Sequence, residues 1–133
     1  MRKTGILIIC WASLTMWGGN AAYGDGCSNP TSSYDRTFCA AKKLMQSDQE
    51  LNEVYKVLMR RIAKDRGLVS KLKEVQNRWI VFRNNSCEAK GEIDLECNYQ
   101  VNRARIDYLN ERIRECKGGA CDKEKIFAQP WTK

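Results

Sequence analysis

Apolar residues recur along most of the chain at steps of three, four or seven positions, which is the spacing of one face of an α-helix. The first such stretch begins after Ser32 or Ser33, either of which can cap a helix, and continues to about residue 64 without glycine or proline. Its apolar stripe consists of Leu44, Leu51, Tyr55, Leu58 and Ile62. Because Ser47 and Asp48 can also cap a helix, the pattern fits one long helix or two shorter ones.

Two further stretches predict a second and a third helix. The second covers about residues 68–87, after a break at Gly67, and Ser70 is a modest start signal. Its stripe is formed by Leu68, Leu72, Val75, Trp79 and Phe82. The third follows a break at Gly91 and ends near residue 117, before two glycines. Its apolar positions are Leu95, Tyr99, Ile106, Leu109 and Ile113.

No stretch of useful length alternates with the period of two that is typical of a strand. Three amphipathic helices must bury their apolar stripes against one another. The predicted fold is therefore all-α: a small antiparallel bundle of three to four helices, cross-linked by disulfides. Residues 121–133 are predicted to be a short tail with a frayed end.

The amino terminus has the pattern of a secretory signal peptide. Residues 1–3 include two positive charges, residues 5–17 are almost wholly apolar, and small residues follow. We predict a signal peptide over residues 1–24 and a single domain, with its tail, over residues 25–133. The expected location is the periplasm or the cell exterior.

Charge narrows the choice of partner without naming one. Residues 1–24 hold two of the 23 basic residues and none of the 16 acidic ones, so the remaining chain has a net charge of +5. This excess favours an anionic partner, and export argues against nucleic acid. Six basic residues in short runs are predicted to lie off the apolar stripes: Lys42, Lys43, Arg60, Arg61, Arg112 and Arg114.

The cysteines indicate an oxidising compartment. Six of the seven follow the predicted signal peptide: Cys27, Cys39, Cys87, Cys97, Cys116 and Cys121. An even number in a small exported chain predicts three disulfides, for which 15 pairings are possible. Sequence proximity favours Cys27–Cys39, Cys87–Cys97 and Cys116–Cys121. Because the chain has no histidine and no CxxC pair, neither a metal site nor a cofactor is predicted.

The residues that enzymes use for nucleophilic catalysis are missing from the pattern. There is no histidine, the cysteines are predicted to be paired, and no GxSxG or glycine-rich phosphate motif is present. The acidic pairs are spaced as on solvated helix faces. We therefore predict a binding protein and not an enzyme.

The stretch QNRWIVFRNNSC, residues 76–87, combines basic and aromatic residues. Trp79 and Phe82 lie on the apolar stripe, which places Gln76 and Arg83 on or beside the buried face. A buried arginine requires acceptors, and three residues at the border of the first stripe are suitable: Asp48, Asn52 and Tyr55. We predict an Asp48–Arg83 contact within a structural polar network.

The segments DQELNEVY, QNRWIVFRNNSC and CNYQVNRARIDYL, in this order and spacing, resemble the LprI-like family of exported bacterial proteins, which is labelled lysozyme inhibitor-like. The resemblance covers about residues 27–115 and implies a helical fold. The matching positions are Asp48, Leu51, Asn52, Tyr55, Gln76, Trp79, Arg83, Cys87, Cys97, Arg103, Arg105 and Leu109, together with the cysteine pair Cys27 and Cys39. Arg103 and Arg105 thereby join the predicted polar network.

The chain departs from the family pattern in two places. No convincing lipobox is present, because Cys10 lies inside the apolar run and Cys27 follows Gly24-Asp25-Gly26. The Cys116 and Cys121 pair and the tail also lie outside the shared pattern. An exported protein without a lipid anchor is therefore expected.

The resemblance implies lysozyme as a partner, and a local cluster of acid makes this compatible with a basic domain. Common animal lysozymes are strongly basic, so a partner gains from complementary acidic charge. Glu88, Glu92, Asp94 and Glu96 lie between two cysteines and form a candidate partner-binding loop. The expected mechanism is occlusion of the glycan cleft by this loop. Two alternatives stay open: the loop is a solvated connection, or the domain binds an anionic glycan, lipid or protein of the cell envelope.

Overall fold

The computed structural model describes residues 26–116 and 121–132, and the predicted signal peptide lies outside the described residues. Three long helices, α1 (Ser33–Arg61), α2 (Arg66–Ser86) and α3 (Leu95–Glu115), form the body. Two short strands, β1 (Glu88–Ala89) and β2 (Glu92–Ile93), connect α2 to α3. A short helix α4 (Lys123–Phe127) and a 3-10 turn (Pro130–Thr132) follow. The predicted all-α bundle of three to four helices is confirmed.

Each helix begins at a side chain that accepts a hydrogen bond from a backbone amide, which satisfies one of the free N–H groups of the first turn. Ser32 and Asp35 form a reciprocal capping box at α1. An aspartate caps each of the other helices: Asp65 for α2, Asp94 for α3 and Asp122 for α4. Because Asp65 is the cap, α2 begins before Ser70, and Gly67 lies inside its first turn.

The helix α1 is continuous, so the alternative of two shorter helices is wrong. Ser47 lies in its middle, is buried, and donates its hydroxyl proton to the carbonyl oxygen of Leu44 at 2.8 Å. A serine that bonds back to the preceding turn does not act as a cap.

The directions of the helices follow from the contacts between them. Asp48 contacts Asn102 and Glu50 contacts Arg103, so α1 and α3 run parallel. The contacts of α2 run in the opposite sense, from Arg83 with Asn102 to Gln76 with Arg105. Consecutive helices are therefore antiparallel. None of the described helices combines the length and the apolarity that a membrane crossing requires.

The core lies between the three long helices and continues under the tail. Its most deeply buried apolar residues are Leu58, Leu72, Val75, Ile106, Leu109 and Ile126. Ile126 belongs to α4 and is only 1% exposed. Near the end of the chain, the Trp131 ring lies 6.3 Å from that of Phe82. The described part of the tail is therefore packed on the bundle as far as Trp131, close to the end that was predicted to be frayed.

Three disulfides join Cys27 to Cys39, Cys87 to Cys97 and Cys116 to Cys121. This is the local pairing that sequence proximity favoured among the possible connectivities. Each bridge fastens the beginning or the end of a long helix. The third also ties the tail to α3, which explains how so short a segment stays docked.

Candidate functional site

The predicted acidic loop is a β-hairpin. Lys90 and Gly91 at its tip both have positive φ, 57° and 77°, as a two-residue type I′ turn requires. The Cys87–Cys97 disulfide closes its base, where the Asp94 amide also donates to the Cys87 carbonyl oxygen at 2.9 Å. Strands of two residues are too short for a period of two to be visible, which is why the sequence pattern missed them.

The register of the hairpin separates two of the predicted acidic residues. Glu88 lies opposite Ile93, and Ala89 lies opposite Glu92. Because successive side chains of a strand point to opposite faces, Glu88 and Glu92 lie on different faces of the ribbon. All four residues are exposed, and Ile93 retains 66% of its surface. Each face therefore presents one carboxylate.

The other two predicted acidic residues belong to the start of α3. The Asp94 side chain accepts a hydrogen bond from the Cys97 amide at 2.9 Å, and Glu96 accepts one from the Gln100 side chain at 2.7 Å. Asp94 thus has a structural task as a cap, although it still contributes negative charge at the foot of the hairpin.

A hollow of about 240 Å³ lies beside the hairpin. Its lining comes from all three long helices and from the hairpin: Leu44, Asp48, Arg83, Asn84, Cys87, Glu88, Ile93 and Asn98. The Asp48 side chain is 44% exposed and that of Arg83 is 18% exposed. The hollow consequently brings one predicted acidic residue, Glu88, close to the predicted polar network.

The polar network joins the three long helices at one level. Arg83 Nη1 donates to Asp48 Oδ1 at 2.8 Å, which is the predicted contact, and to Asn102 Oδ1 at 3.0 Å. Asn102 Nδ2 donates to Asp48 Oδ1 at 2.8 Å and to the Ser47 hydroxyl at 2.9 Å. We call these four residues the Arg83 layer. Its contacts fix α2 and α3 against α1 next to the hairpin.

Sequence reasoning missed Ser47 and Asn102 as members of this layer, although Asn102 is fully buried. A signal was present in the stripes. The step from Leu44 to Leu51 and the step from Tyr99 to Ile106 are each seven residues. Ser47 lies three residues after Leu44, and Asn102 lies three residues after Tyr99. At this step an α-helix brings the same face inward again.

Three predicted members of the network, Asn52, Arg103 and Tyr55, lie elsewhere. Asn52 is exposed on α1, and Arg83 donates to Asp48 and Asn102 instead, so the predicted Asn52 acceptor is not among its partners. Arg103 forms ion pairs with Glu50 and Asp107 on the surface between α1 and α3. Tyr55 packs against the core instead of accepting from Arg83, and burial raises its pKa.

Arg105 is the centre of a second level, which we call the Arg105 layer: Gln76, Trp79, Arg105, Tyr108 and Trp131. The Arg105 Nε and Nη2 atoms donate to Gln76 Oε1 at 3.1 and 3.0 Å. The guanidinium carbon lies 4.6 Å from the Trp131 ring centroid, 5.4 Å from that of Tyr108 and 5.8 Å from that of Trp79. Arg105 is 2% exposed, and this burial lowers its pKa to about 10.

Arg112, one of the basic residues predicted to lie off the apolar stripes, is more deeply buried than predicted. Arg112 is 8% exposed, and its guanidinium lies 4.6 Å from the Tyr108 ring. Its guanidinium forms ion pairs with Glu111 at 3.1 Å and with Glu115 at 2.8 Å. Its placement off the apolar stripe was wrong, because the long stem packs inward while neighbouring carboxylates neutralise the head.

Neither metal ligands nor free thiols are grouped into a site among the described residues. No group of three or more cysteine, aspartate or glutamate side chains within 26–116 and 121–132 is placed to hold a metal ion. The six described cysteines are in disulfides. What this part of the chain presents is a rigid acidic hairpin, a hollow beside it, and buried guanidinium groups behind it.

Comparison with known families confirms the predicted family. The sequence model of the family described as lysozyme inhibitor LprI matches residues 27–115, which is more than half of the chain. The matched span contains α1, α2, α3 and the hairpin, and the tail lies beyond it. No curated protein and no solved structure matches the chain significantly. From its match over residues 27–115, the chain belongs to the LprI family of lysozyme inhibitors.

Proposed function

We propose that the protein is exported, acts by binding without catalysis, and inhibits lysozyme by placing the hairpin in the glycan cleft. The observation that carries the proposal is the hairpin itself. It is exposed along both strands, has a tight turn, and is closed by a disulfide at its base. Such a segment loses little conformational entropy on binding, so more of its contact energy remains as affinity.

Charge favours a basic cleft as the receiver of the hairpin. Between Cys87 and Cys97 there are four acidic residues and one basic residue, whereas the chain as a whole is basic. Glu88 and Glu92 lie on opposite faces of the ribbon, so a ribbon inserted into a cleft brings one carboxylate to each wall. The exposed Ile93 supplies an apolar contact beside Glu88.

The Arg83 layer has a supporting part in this mechanism. It holds the end of α2 and the first half of α3 against α1, and these two helices carry the two cysteines of the hairpin base. A fixed base keeps the hairpin in one orientation, which is the condition for binding without reorganisation.

The test is the rate of peptidoglycan hydrolysis by lysozymes of several types in the presence of the purified, disulfide-bonded protein. We expect inhibition at concentrations on the order of micromolar, which weakens as salt screens the hairpin charge. Absence of inhibition for every lysozyme at these concentrations would contradict the proposal.

A charge-matched pair of double variants tests whether the hairpin is the surface that contacts lysozyme. The double substitution Glu88→Gln and Glu92→Gln should reduce inhibition at least about tenfold, because each removed charge weakens a charge-assisted contact. The control, Glu53→Gln with Glu74→Gln, removes the same charge from exposed positions of α1 and α2. Equal losses in both double variants would show that the hairpin is not the contact surface.

A second candidate function rests on the other end of the bundle. A hollow of about 410 Å³ is bordered by Arg60, Arg61, Lys64 and Lys123, with Asp65 as the one carboxylate among its lining residues. This end suits an anionic glycan, lipid or protein of the cell envelope. The domain would then act as a basic binding module of the envelope.

The two functions give opposite results in one comparison. Retention on cell-wall material that falls with salt and with Arg60→Gln and Arg61→Gln, together with unaltered lysozyme activity, favours the envelope module. Inhibition that these two substitutions leave unchanged favours the hairpin mechanism.

A further inference from the structure

A second cavity, of about 340 Å³, lies between α2, α3 and the end of the tail. Most of its wall is aromatic or apolar, from Trp79, Phe82, Tyr108, Pro130 and Trp131. Its volume and lining are those of a site for a small organic molecule, which combines apolar walls with a few polar groups. It shares no lining residue with the hollow beside the hairpin.

The polar group of this cavity is Arg105. Its cation is almost fully buried, yet no carboxylate among the described residues contacts it, and the Gln76 amide oxygen accepts only from Nε and Nη2. The third nitrogen, Nη1, is buried without a hydrogen-bond acceptor. A buried charge normally has a charged partner and full hydrogen bonding, so Arg105 has an unmet requirement for an anion.

A second donor at the same cavity is also unpaired. The indole Nε1 of Trp131 is buried without an acceptor. The ring of this residue covers the Arg105 guanidinium at 4.6 Å, which satisfies part of the charge through the π-face but leaves both N–H groups without partners. Two unpaired donors in one apolar cavity call for a ligand with two acceptor atoms.

We propose that this cavity binds a small carboxylic acid with an apolar body, in its ionised form. The carboxylate accepts hydrogen bonds from Arg105 Nη1 and from Trp131 Nε1, and the apolar body packs on Trp79, Phe82 and Tyr108. A carboxylate that accepts from a guanidinium N–H lies in the guanidinium plane, so it reaches Nη1 from the edge of the cation. This function is separate from lysozyme inhibition.

The binding test uses the full chain, expressed with its own N-terminal segment, exported into a bacterial periplasm and purified with its disulfides. Octanoate and 4-phenylbutyrate are the alkyl and aryl probes, titrated by calorimetry up to about 1 mM. Octan-1-ol, octylammonium and acetate are controls that lack the negative charge, reverse it, or lack the apolar body. We expect at least one of the two acids to bind, with an affinity at least about tenfold above that of any control.

Tryptophan fluorescence provides a second readout at the site. Beyond residue 24 the chain contains two tryptophans, Trp79 and Trp131, and both line the cavity. Binding should therefore change the emission of the exported protein, with a midpoint that agrees with calorimetry.

Two variants that remove the same charge test whether Arg105 is the residue that binds the carboxylate. Arg105→Met keeps the apolar stem and should reduce affinity for the acid at least about tenfold while leaving the weak binding of octan-1-ol unchanged. Arg103→Met removes the same charge two residues away, at a surface ion pair, and should leave binding unchanged. If Arg105→Met does not fold, Ala104→Leu, at an exposed position of the cavity wall, should weaken the acid and the alcohol together.

Three results would overturn the proposal: no binding of either acid up to about 1 mM, equal affinity for octanoate and octan-1-ol, or equal loss in the Arg105 and Arg103 variants. Binding that Ala104→Leu leaves unaltered would place the ligand elsewhere and would overturn it as well.

Discussion

Arg83 and Arg105 both place a guanidinium group over the Trp79 ring, at 5.4 and 5.8 Å from its centroid, but their partners differ. Arg83 contacts the carboxylate of Asp48 and the amide oxygen of Asn102, and its side chain is 18% exposed. Arg105 is more deeply buried, has one amide oxygen and three aromatic rings around it, and leaves Nη1 without an acceptor.

The charge of Arg83 has a structural role, whereas stability does not explain why the charge of Arg105 is buried. In the Arg83 layer, one donor group satisfies acceptors on two other helices, so the charge specifies how the helices meet. In the Arg105 layer, desolvation of the cation is offset only by ring faces and a neutral amide. A buried cation with this little compensation reduces the free energy of unfolding, which favours a binding role for Arg105.

The largest expected effect comes from Trp79, whose ring contacts the guanidinium groups of both Arg83 and Arg105. Trp79→Ala removes a 2% exposed ring and should lower the free energy of unfolding by about 3–5 kcal/mol. Trp79→Phe keeps a ring face for both cations and should lose less, about 1–3 kcal/mol. Urea unfolding with intact disulfides measures both values. Equal losses in the two variants would show that the ring face contributes nothing.

The second effect is specific to the Arg83 layer. Arg83→Met leaves the Asn102 side-chain oxygen without its donor and removes the charged one of the two donors to Asp48, so it should lower the free energy of unfolding by about 1–3 kcal/mol. A double-mutant cycle with Asp48→Ala should give a coupling energy of about 0.5–3 kcal/mol. Asn52→Ala, one turn along α1 and exposed, is the control and should change stability by less than about 0.5 kcal/mol. Zero coupling would mean that the layer does not hold the helices together.

The third effect is smaller because no carboxylate in the Arg105 layer loses a partner when Arg105 is replaced. Arg105→Met should leave the free energy of unfolding within about 1 kcal/mol of the original, or raise it, because the stem is kept and desolvation of the charge is relieved. Gln76 is only half-buried, so water can replace the donors that it loses. A loss above about 2 kcal/mol in the same urea experiment would make the two layers equivalent and remove the contrast between them.

The sequence predicted the Arg83 layer better than the Arg105 layer, for a physical reason. Asp48 and Arg83 border apolar stripes with a periodicity that is visible in the sequence, and opposite charges at such borders imply a contact. Arg105 was predicted only through its resemblance to the family. Its surroundings depend on Trp131, and the docking of the tail follows from a cap and a disulfide that no helical period shows.

The candidate site was predictable in composition but not in shape. Four acidic residues between two cysteines were evident in the sequence, and the disulfide is present. The separation of Glu88 from Glu92 depends on a two-residue turn at Lys90 and Gly91, and the use of Asp94 as a cap depends on where α3 begins. Such short-range backbone details leave no periodic signal over a few residues.

The smallest effect concerns the tail, which covers the Arg105 layer but not the Arg83 layer. Asp65 caps α2 through the Leu68 amide at 3.0 Å and pairs with Lys123, the first residue of α4, at 2.9 Å. These two contacts, the amide first, lower the pKa of Asp65 below its ordinary value of 3.8. A depressed pKa means that the ionised form stabilises the folded state, fully so above pH 3.8 and less as the pH falls through the folded pKa.

Thermal unfolding between about pH 5 and about pH 2 tests this assignment. Asp65→Ser keeps an oxygen that can cap α2 but does not titrate, so its melting temperature should fall less steeply with acid than that of the original protein. Lys123→Met removes only the ion pair and should give an intermediate slope nearer to the original, because the Leu68 amide is the larger cause of the shift. If Lys123→Met flattens the slope as much as Asp65→Ser does, the ion pair to the tail is the dominant contact. Acid would then loosen the segment that carries Trp131 and so affect the Arg105 layer through the tail.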